Sequence, residues 1–252
     1  MTLETLQIET PDGVMLTYVG RPDGESRGNV LIYMDAMGIR DELLDGFLER
    51  YRAAGFTTFL PDLYYRFGEN VSFDATVSYS QLPKDVQPVF YATVKKMRND
   101  APIVRDTGLL IDAVGAATGT DQTNLWSTVG YCMGGRFVVR SMAAYPKQFA
   151  AGVAVYPTGL VTDEKDAPVH DIAQISGKLF IGFGGADELT PLDDIDAVKQ
   201  ALEAADPEHD VHVYPDAGHA FMMPGKPSSY RHEASEDVWT QSLEMFGKLE
   251  TT

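Results

Sequence analysis

One cysteine in this sequence lies where a thiol can act as a nucleophile. Cys132 is the only cysteine among the 252 residues, and it is the centre of a Gly-x-Cys-x-Gly pattern in 130–134. An apolar, strand-like run, 124–129, precedes the pattern, and a helix-like run, 136–144, follows it. Small residues at such a turn permit a strained backbone that exposes the central side chain. The pattern predicts a covalent nucleophile, whereas the plainer interpretation is a small, buried apolar residue.

An acid and a histidine follow the cysteine in the order that a catalytic triad on a strand-helix scaffold requires. The apolar run 178–183 ends at small residues just before Asp187, so a carboxylate is expected at the carboxyl end of a strand. His219 comes just after another short apolar run, 211–214. We therefore predict Asp187 and His219 as the partners of Cys132. The other acids near the first of these turns are Glu188, Asp193 and Asp194.

The four remaining histidines have no pattern that indicates a metal centre. His209 and His212 have a His-x-x-His spacing, but no third ligand accompanies them, and we interpret both as structural. His170 lies in a loop rich in Pro and Asp, and His232 lies near the start of the last helix-like run. We expect neither a metal nor a cofactor.

Composition restricts the kinds of partner. A formal charge of -17 and an isoelectric point near 4.5 disfavour nucleic acid and anionic membranes. The sequence has no apolar run long enough for a membrane helix, and its amino terminus does not resemble a secretion signal. A single cysteine cannot form an intrachain disulfide, which fits a reducing compartment. We expect one soluble, cytoplasmic domain over 1–252 that acts on a small molecule.

Apolar runs and helix-like runs alternate along the chain. A hairpin is predicted first, around Pro-Asp-Gly at 11–13, and helix-spaced apolar residues then separate the later strands. The predicted strands are 3–9, 14–20, 29–34, 57–60, 125–130, 151–156, 178–183 and 211–214, and the predicted helices are 41–54, 103–117, 136–145, 192–205 and 231–249. This alternation predicts an α/β fold with a mainly parallel, eight-stranded sheet and helices on both faces. Two segments, 65–85 and 157–176, have no clear period and are expected to be irregular.

The motifs together resemble the dienelactone hydrolase family, the carboxymethylenebutenolidases, which have the α/β-hydrolase fold. The resemblance is carried by Cys132, Asp187 and His219 in this order, with Pro-Asp-Leu-Tyr-Tyr-Arg at 61–66 and Gly-His-Ala-Phe at 218–221. It covers nearly the whole chain. It implies hydrolysis of an ester or lactone through a Cys-His-Asp triad. A cysteine nucleophile suits a leaving group that departs readily, such as an enolate, which favours enol-lactones over simple alkyl esters.

The resemblance also implies roles for residues near the nucleophile. The oxyanion hole would use the backbone N–H groups of Met133 and Ala36. The family's glutamate after the third strand corresponds to Asp35, whose side chain is one methylene shorter. Asp35 is expected either to tune the thiol or to hold the turn.

Two further positions concern recognition of a substrate carboxylate. Arg66 matches a family arginine that binds this group, which suits the planar guanidinium. A second family arginine corresponds to Met223, which with Met222 would give the substrate site an apolar, adaptable wall. The substrate is therefore expected to lack the carboxylate, to present it differently, or to be held by another residue such as Arg40.

Three alternatives remain at this point. The first is a general carboxylesterase or a thioesterase on the same fold. The second is a nucleotide-binding protein, for which the glycines in 182–185 are weak support because they do not form Gly-x-Gly-x-x-Gly. The third is a non-catalytic binding protein that retains the fold.

Overall fold

The protein is built on one eight-stranded sheet with the order β1-β2-β4-β3-β5-β6-β7-β8. The computed structural model describes residues 3–69, 71–123, 125–205 and 208–247. Strands β1 and β2 form an antiparallel hairpin, β2 is antiparallel to β4, and all later pairs are parallel. The strands are β1 Glu4–Thr10, β2 Gly13–Gly20, β3 Asn29–Tyr33, β4 Thr57–Pro61, β5 Trp126–Tyr131, β6 Phe149–Val155, β7 Lys178–Gly184 and β8 Asp210–Tyr214. The predicted α/β class and mainly parallel sheet are confirmed.

Helices cover both faces of the sheet. The helices are α1 Glu49–Ala53, α2 Gln87–Lys96, α3 Ala101–Thr118, α4 Met133–Ala144, α5 Leu192–Ala205 and α6 His232–Gly247. Tyr33 of β3 packs against Phe137 of α4, and its hydroxyl lies 2.6 Å from Thr107 Oγ1 of α3. Tyr33 pairs with Gly130 of β5, so the next residue, Tyr131, points to the opposite face. There Tyr131 stacks on Phe47, whose ring contacts Trp239 of α6.

Each observed strand begins and ends within two residues of its predicted bounds, and the helices differ more. The predicted helix 41–54 begins as a π-helical segment, Glu42–Leu48, before α1. Helix α4 begins three residues earlier than predicted, directly after Cys132. Helix α2 was not predicted at all. Asn124, and residues 248 and 249 of the predicted last helix, lie outside the described residues.

In their described residues, the two segments predicted to be irregular contain short helical turns, and the first also contains an isolated bridge between Ser72 and Gly38. These turns are 3₁₀-helical, at Tyr65–Phe67 and Tyr79–Gln81 in the first segment and at Pro168–Gln174 in the second. Within the described parts of the chain, every helix is too short or too polar to span a bilayer.

Candidate active site

Cys132 lies on a sharp turn between β5 and α4. Its φ of 54° is in the left-handed region, which is costly for a residue with a side chain. The turn is possible because glycines stand two residues before and two residues after Cys132. A Cβ on Gly130 would lie 2.2 Å from the Gly134 carbonyl oxygen, and one on Gly134 would lie 2.5 Å from the Tyr33 carbonyl oxygen. The thiol is therefore presented at the carboxyl end of the central strand.

Asp187 and His219 lie on loops that follow β7 and β8, and backbone contacts join these loops. The Ala186 N–H donates to the Ala217 carbonyl at 2.9 Å. Gly184 permits this approach, because a Cβ there would lie 2.4 Å from the same oxygen. As a result His219 Nδ1 lies 2.7 Å from Asp187 Oδ2.

Asp187 is held rigidly for this contact. Its side chain is only 1% exposed, and its second oxygen, Oδ1, accepts a 2.8 Å hydrogen bond from the Leu189 N–H. A carboxylate bound to Nδ1 orients the imidazole and leaves Nε2 for the nucleophile. Of the alternative acids, Glu188 and Asp193 are exposed and Asp194 is half-buried.

The ionisation of His219 is coupled to Cys132. Burial by itself lowers the pKa of this imidazole, but the charge of the Cys132 thiolate and hydrogen bonds to Asp187 and Cys132 raise it to about 10. Beside a charged Cys132 and an ionised Asp187, the favoured form of His219 is therefore the imidazolium. A protonated histidine in this position can donate a proton to a leaving group.

Two of the other histidines, His212 and His209, form hydrogen bonds with residues outside the Cys132–Asp187–His219 group. His212 Nδ1 lies 2.9 Å from Asp237 Oδ2, which also accepts a hydrogen bond from the Tyr214 hydroxyl. His209 Nδ1 accepts a hydrogen bond from the Leu179 N–H. Across the described residues, no group of three or more His, Cys, Asp or Glu side chains is arranged to hold a metal ion.

The two N–H groups predicted for the oxyanion hole belong to well-fixed backbone. Met133 is the first residue of α4, where the helix leaves its N–H groups without internal acceptors. Ala36 is buried in the loop after β3, and its carbonyl accepts a 2.8 Å hydrogen bond from the Tyr64 hydroxyl. Tyr64 thus fixes the position of this loop, a role that the motif at 61–66 did not indicate.

Asp35 is engaged by Arg40 in the same loop. Arg40 Nη1 and Nη2 donate to Asp35 Oδ1 and Oδ2 at 2.9 and 2.8 Å, and the Met37 N–H donates to Oδ1 at 2.9 Å. These bonds satisfy both carboxylate oxygens. They favour the interpretation that Asp35 holds the turn, and the thiol-tuning role stays a prediction.

Arg66 belongs to an ion cluster with Asp106 and Asp12. It binds the buried Asp106, the Tyr65 hydroxyl at 3.0 Å and the Leu63 carbonyl at 3.0 Å. Arg66 Nε also lies 3.6 Å from Asp12 Oδ2. In the described part of the chain, none of its hydrogen bonds or ion pairs is to Cys132, Asp187 or His219. These contacts support a structural role, and the predicted binding of a substrate carboxylate remains untested.

The ion cluster leads to a test of Arg66. We expect Arg66→Ala to lower the free energy of unfolding by about 2 to 3 kcal/mol, because it removes one partner of a buried carboxylate that Arg105 still contacts. Urea denaturation measures the change, and Arg21→Ala, which removes an exposed ion pair to Glu4, is the control. Normal stability with a selective loss of activity on carboxylate-bearing substrates would instead support the binding role.

The structure shows further residues near Cys132 and His219 that the sequence did not indicate. The Tyr156 ring packs edge-on against His219 at 5.2 Å, and Tyr156 also has a positive φ, of 38°. The Thr158 N–H donates to the Cys132 carbonyl at 3.2 Å, and its hydroxyl lies 4.0 Å from Cys132 Sγ. A positive φ at a tyrosine has no signature in a single sequence.

Two surface depressions lie elsewhere on the molecule. One of about 450 Å³ is lined by residues that include Arg66 and Lys96, and one of about 720 Å³ is lined by residues that include Arg136 and Arg140. Neither is lined by Cys132, Asp187 or His219. The first contains the ion pair of Arg66 with Asp12, and the second contains those of Arg136 and Arg140 with Asp100.

Comparisons with known proteins agree with this geometry. The sheet order and the three loops define an α/β-hydrolase fold. A model of the dienelactone hydrolase family matches residues 15–250, and the chain therefore belongs to that family. It is an ester or lactone hydrolase by class.

Individual relatives are similar over most of their length. A "Putative carboxymethylenebutenolidase" from Methylorubrum extorquens is 30% identical over 96% of this chain and 79% of the relative. A protein of the same description from Salmonella typhimurium is 28% identical over 98% of this chain and 92% of the relative. The crystal structure of a "Putative Dienelactone Hydrolase" from Klebsiella pneumoniae has a TM-score of 0.82 at 24% identity and covers 98% of each chain.

Proposed function

We propose that this enzyme hydrolyses enol-lactones and activated esters through a thioester on Cys132. The observation that carries the proposal is the half-buried His219, which is hydrogen-bonded to Asp187 and whose pKa is raised by the charge of a thiol on a strained turn. Cysteine suits this substrate class, because a thiolate attacks readily and the enolate of an opened enol-lactone departs readily.

The first half of the reaction forms the acyl-enzyme. The Cys132 thiolate attacks the acyl carbonyl, and the carbonyl π electrons move to the oxygen. The N–H groups of Met133 and Ala36 stabilise that oxyanion. When the intermediate collapses, the bond to the leaving oxygen breaks, and the His219 imidazolium supplies its proton to the departing enolate or alkoxide. The products of this half are a thioester and a neutral imidazole.

The second half hydrolyses the thioester. Neutral His219 takes a proton from water as the water oxygen attacks the thioester carbonyl. The same N–H groups stabilise the second oxyanion. Its collapse breaks the carbon–sulfur bond, which regenerates the Cys132 thiolate beside the imidazolium of His219. Asp187 stays ionised throughout and stabilises the imidazolium.

Intact-mass spectrometry during turnover tests this scheme. The panel contains enol-lactones, aryl esters and acyl thioesters, and the expected result is an adduct equal to the acyl group, mapped to Cys132. Turnover of thioesters with no turnover of lactones would place the enzyme among thioesterases. Hydrolysis that continues after complete alkylation of Cys132 would overturn the proposed nucleophile.

The pH dependence provides a second test. His219 has a pKa near 10 in the folded protein, against a reference value of 6.5, so it stays protonated throughout the neutral range. We expect the alkaline limb of kcat/KM near pH 10 rather than near 7. Because this pKa is raised by folding, the associated stability is complete below pH 6.5 and is lost as the pH rises through about 10. An alkaline limb near pH 7 would contradict the ion pair.

A further inference from the structure

The guanidinium of Arg40 donates hydrogen bonds to groups of the chain itself, most of them to two carboxylates. Nη1 donates to Asp35 Oδ1 at 2.9 Å and to the Gly38 carbonyl at 3.2 Å, and Nη2 donates to Asp35 Oδ2 at 2.8 Å. Nε and Nη2 donate to Glu42 Oε2 at 3.2 and 3.0 Å. A guanidinium has five N–H groups, and these bonds use all of them.

Glu42 is itself fixed at both oxygens. Its other oxygen, Oε1, accepts a 2.9 Å hydrogen bond from the Gly225 N–H, in the loop that follows His219. Arg40 Nη2 also lies 3.4 Å from the sulfur of Met223 in that loop. Glu42 therefore joins the loop after β3 to the loop that carries the histidine, and a substrate carboxylate would have to displace a doubly bound side chain to reach Arg40.

This cluster adjoins the backbone turn that carries Cys132: Asp35 follows Met34, and a Cβ on Gly134 would lie 2.7 Å from the Met34 carbonyl oxygen. The Tyr156 hydroxyl is buried and has no hydrogen-bond partner among the described residues. Burial raises its pKa well above the ordinary value, the charges of Asp35, Cys132 and Glu42 raise it further, and Arg40 opposes them. Tyr156 thus lies within electrostatic reach of both the thiol and the cluster.

The cluster of Arg40, Asp35 and Glu42 has a net negative charge. Two carboxylates surround one guanidinium, which leaves one negative charge uncompensated within the cluster. Arg66, the other arginine proposed to bind a carboxylate, is paired with Asp106. The buried Met222 and Met223 make the nearby loop apolar.

We infer that Glu42 makes this enzyme selective for uncharged acyl groups, by filling the Arg40 guanidinium and placing a negative charge beside the acyl site. The inference rests on the function proposed above and names the substrate class of the same site. Discrimination by a built-in repulsive charge is an established route to specificity. Glu42 acts as a specificity-determining residue, and neutral lactones and esters are the substrates.

A pair of esters that differ in one charge tests the inference. The acyl chains of para-nitrophenyl hexanoate and mono-para-nitrophenyl adipate have the same length and end in a methyl group and a carboxylate, respectively. We expect the parent enzyme to favour the hexanoate by about tenfold or more in kcat/KM, the range of one charged interaction. Glu42→Gln keeps an oxygen for the Gly225 N–H, and we expect it to raise the adipate-to-hexanoate ratio by about tenfold.

Glu49→Gln is the matched control for net charge. Glu49 lies on the neighbouring α1 and pairs with Arg52, so its substitution changes the total charge equally without touching Arg40. We expect its ratio to stay within about twofold of the parent, at low and at high salt. Equal ratios for the two variants, or a parent that hydrolyses the adipate as well as the hexanoate, would overturn the inference.

The same assays separate this inference from the proposed function. An acyl adduct on Cys132 without any charge preference overturns the inference alone. Absence of both adduct and turnover with every ester and lactone overturns the proposed function and the inference with it. If Glu42→Gln does not fold, the adipate-to-hexanoate ratio of kcat/KM for the parent enzyme by itself tests whether the site disfavours a charged acyl group.

Discussion

Replacement of Cys132 by alanine is expected to lower kcat/KM by about a thousandfold or more and to abolish the acyl adduct. The thiol supplies the electron pair that forms the thioester, and the chain contains no second cysteine to replace it. Members of a triad act as one unit, so His219→Ala is expected to cause a loss of similar size, and the double variant little more than either. Single-turnover kinetics with an aryl ester, together with intact-mass spectra, measures these losses.

The folded state provides the control for this experiment. Cys132 has a strained φ of 54°, and alanine relieves none of the constraint from Gly130 and Gly134, so we expect an unchanged far-UV spectrum and a similar melting temperature. Activity within about tenfold of the parent for either variant corresponds to only about 1.4 kcal/mol of barrier. That result would exclude Cys132 and His219 as the groups that carry the reaction.

The sheet could be predicted from the sequence because its signal is local. Strands such as β3 and β7 are short apolar runs bounded by turn residues, and burial on both faces makes them uniformly apolar. Helix α2 was missed because its apolar residues are not confined to one side: Phe90 is buried, whereas Val89 and Tyr91 are exposed. The π-helical segment before α1 was not predicted. A π-helix has only about one residue more per turn than an α-helix, so over so short a segment both give nearly the same spacing of apolar residues.

The candidate site was predictable to the extent that its residues follow strand ends. Cys132 comes directly after β5, and Asp187 and His219 lie in the loops that follow β7 and β8. Parallel strands bring their carboxyl ends to one edge of the sheet. The Glu42–Gly225 contact joins positions 183 residues apart and has no motif. The Arg66–Asp106 ion pair is also long-range, so the resemblance at 61–66 could not indicate that a carboxylate of the chain already binds this arginine.

Arg40 shows why a family pattern does not determine specificity by itself. The sequence left open whether it holds a substrate carboxylate, and the structure surrounds it with Asp35 and Glu42. A guanidinium is a binding site only when its donors face an empty pocket. Which partner it has depends on side chains that are neighbours only after folding.

Asp187→Asn is expected to lower kcat/KM by about 10³- to 10⁴-fold, whereas Glu188→Gln should change it less than about twofold. The two residues are adjacent and each substitution removes one negative charge, but only Asp187 contacts His219, at 2.7 Å from Nδ1. The asparagine side chain introduced by the first substitution is nearly the same size, so the Leu189 N–H keeps an acceptor. The amide cannot stabilise an imidazolium, and if its NH₂ group faces Nδ1 it also favours the wrong tautomer.

The pH profile of these two variants separates an electrostatic role from a merely structural one. The hydrogen bond to Asp187 is one of the causes that raise the pKa of His219, so Asp187→Asn should move the alkaline limb of kcat/KM below pH 10. Glu188 is exposed, and Glu188→Gln should leave the limb in place. A variant that only loosened the loop would lose activity without moving the limb. The reverse ranking of the two variants, with Glu188→Gln the more damaging, would mean that the acid of the triad is Glu188 and that the 2.7 Å contact to His219 is not the productive one.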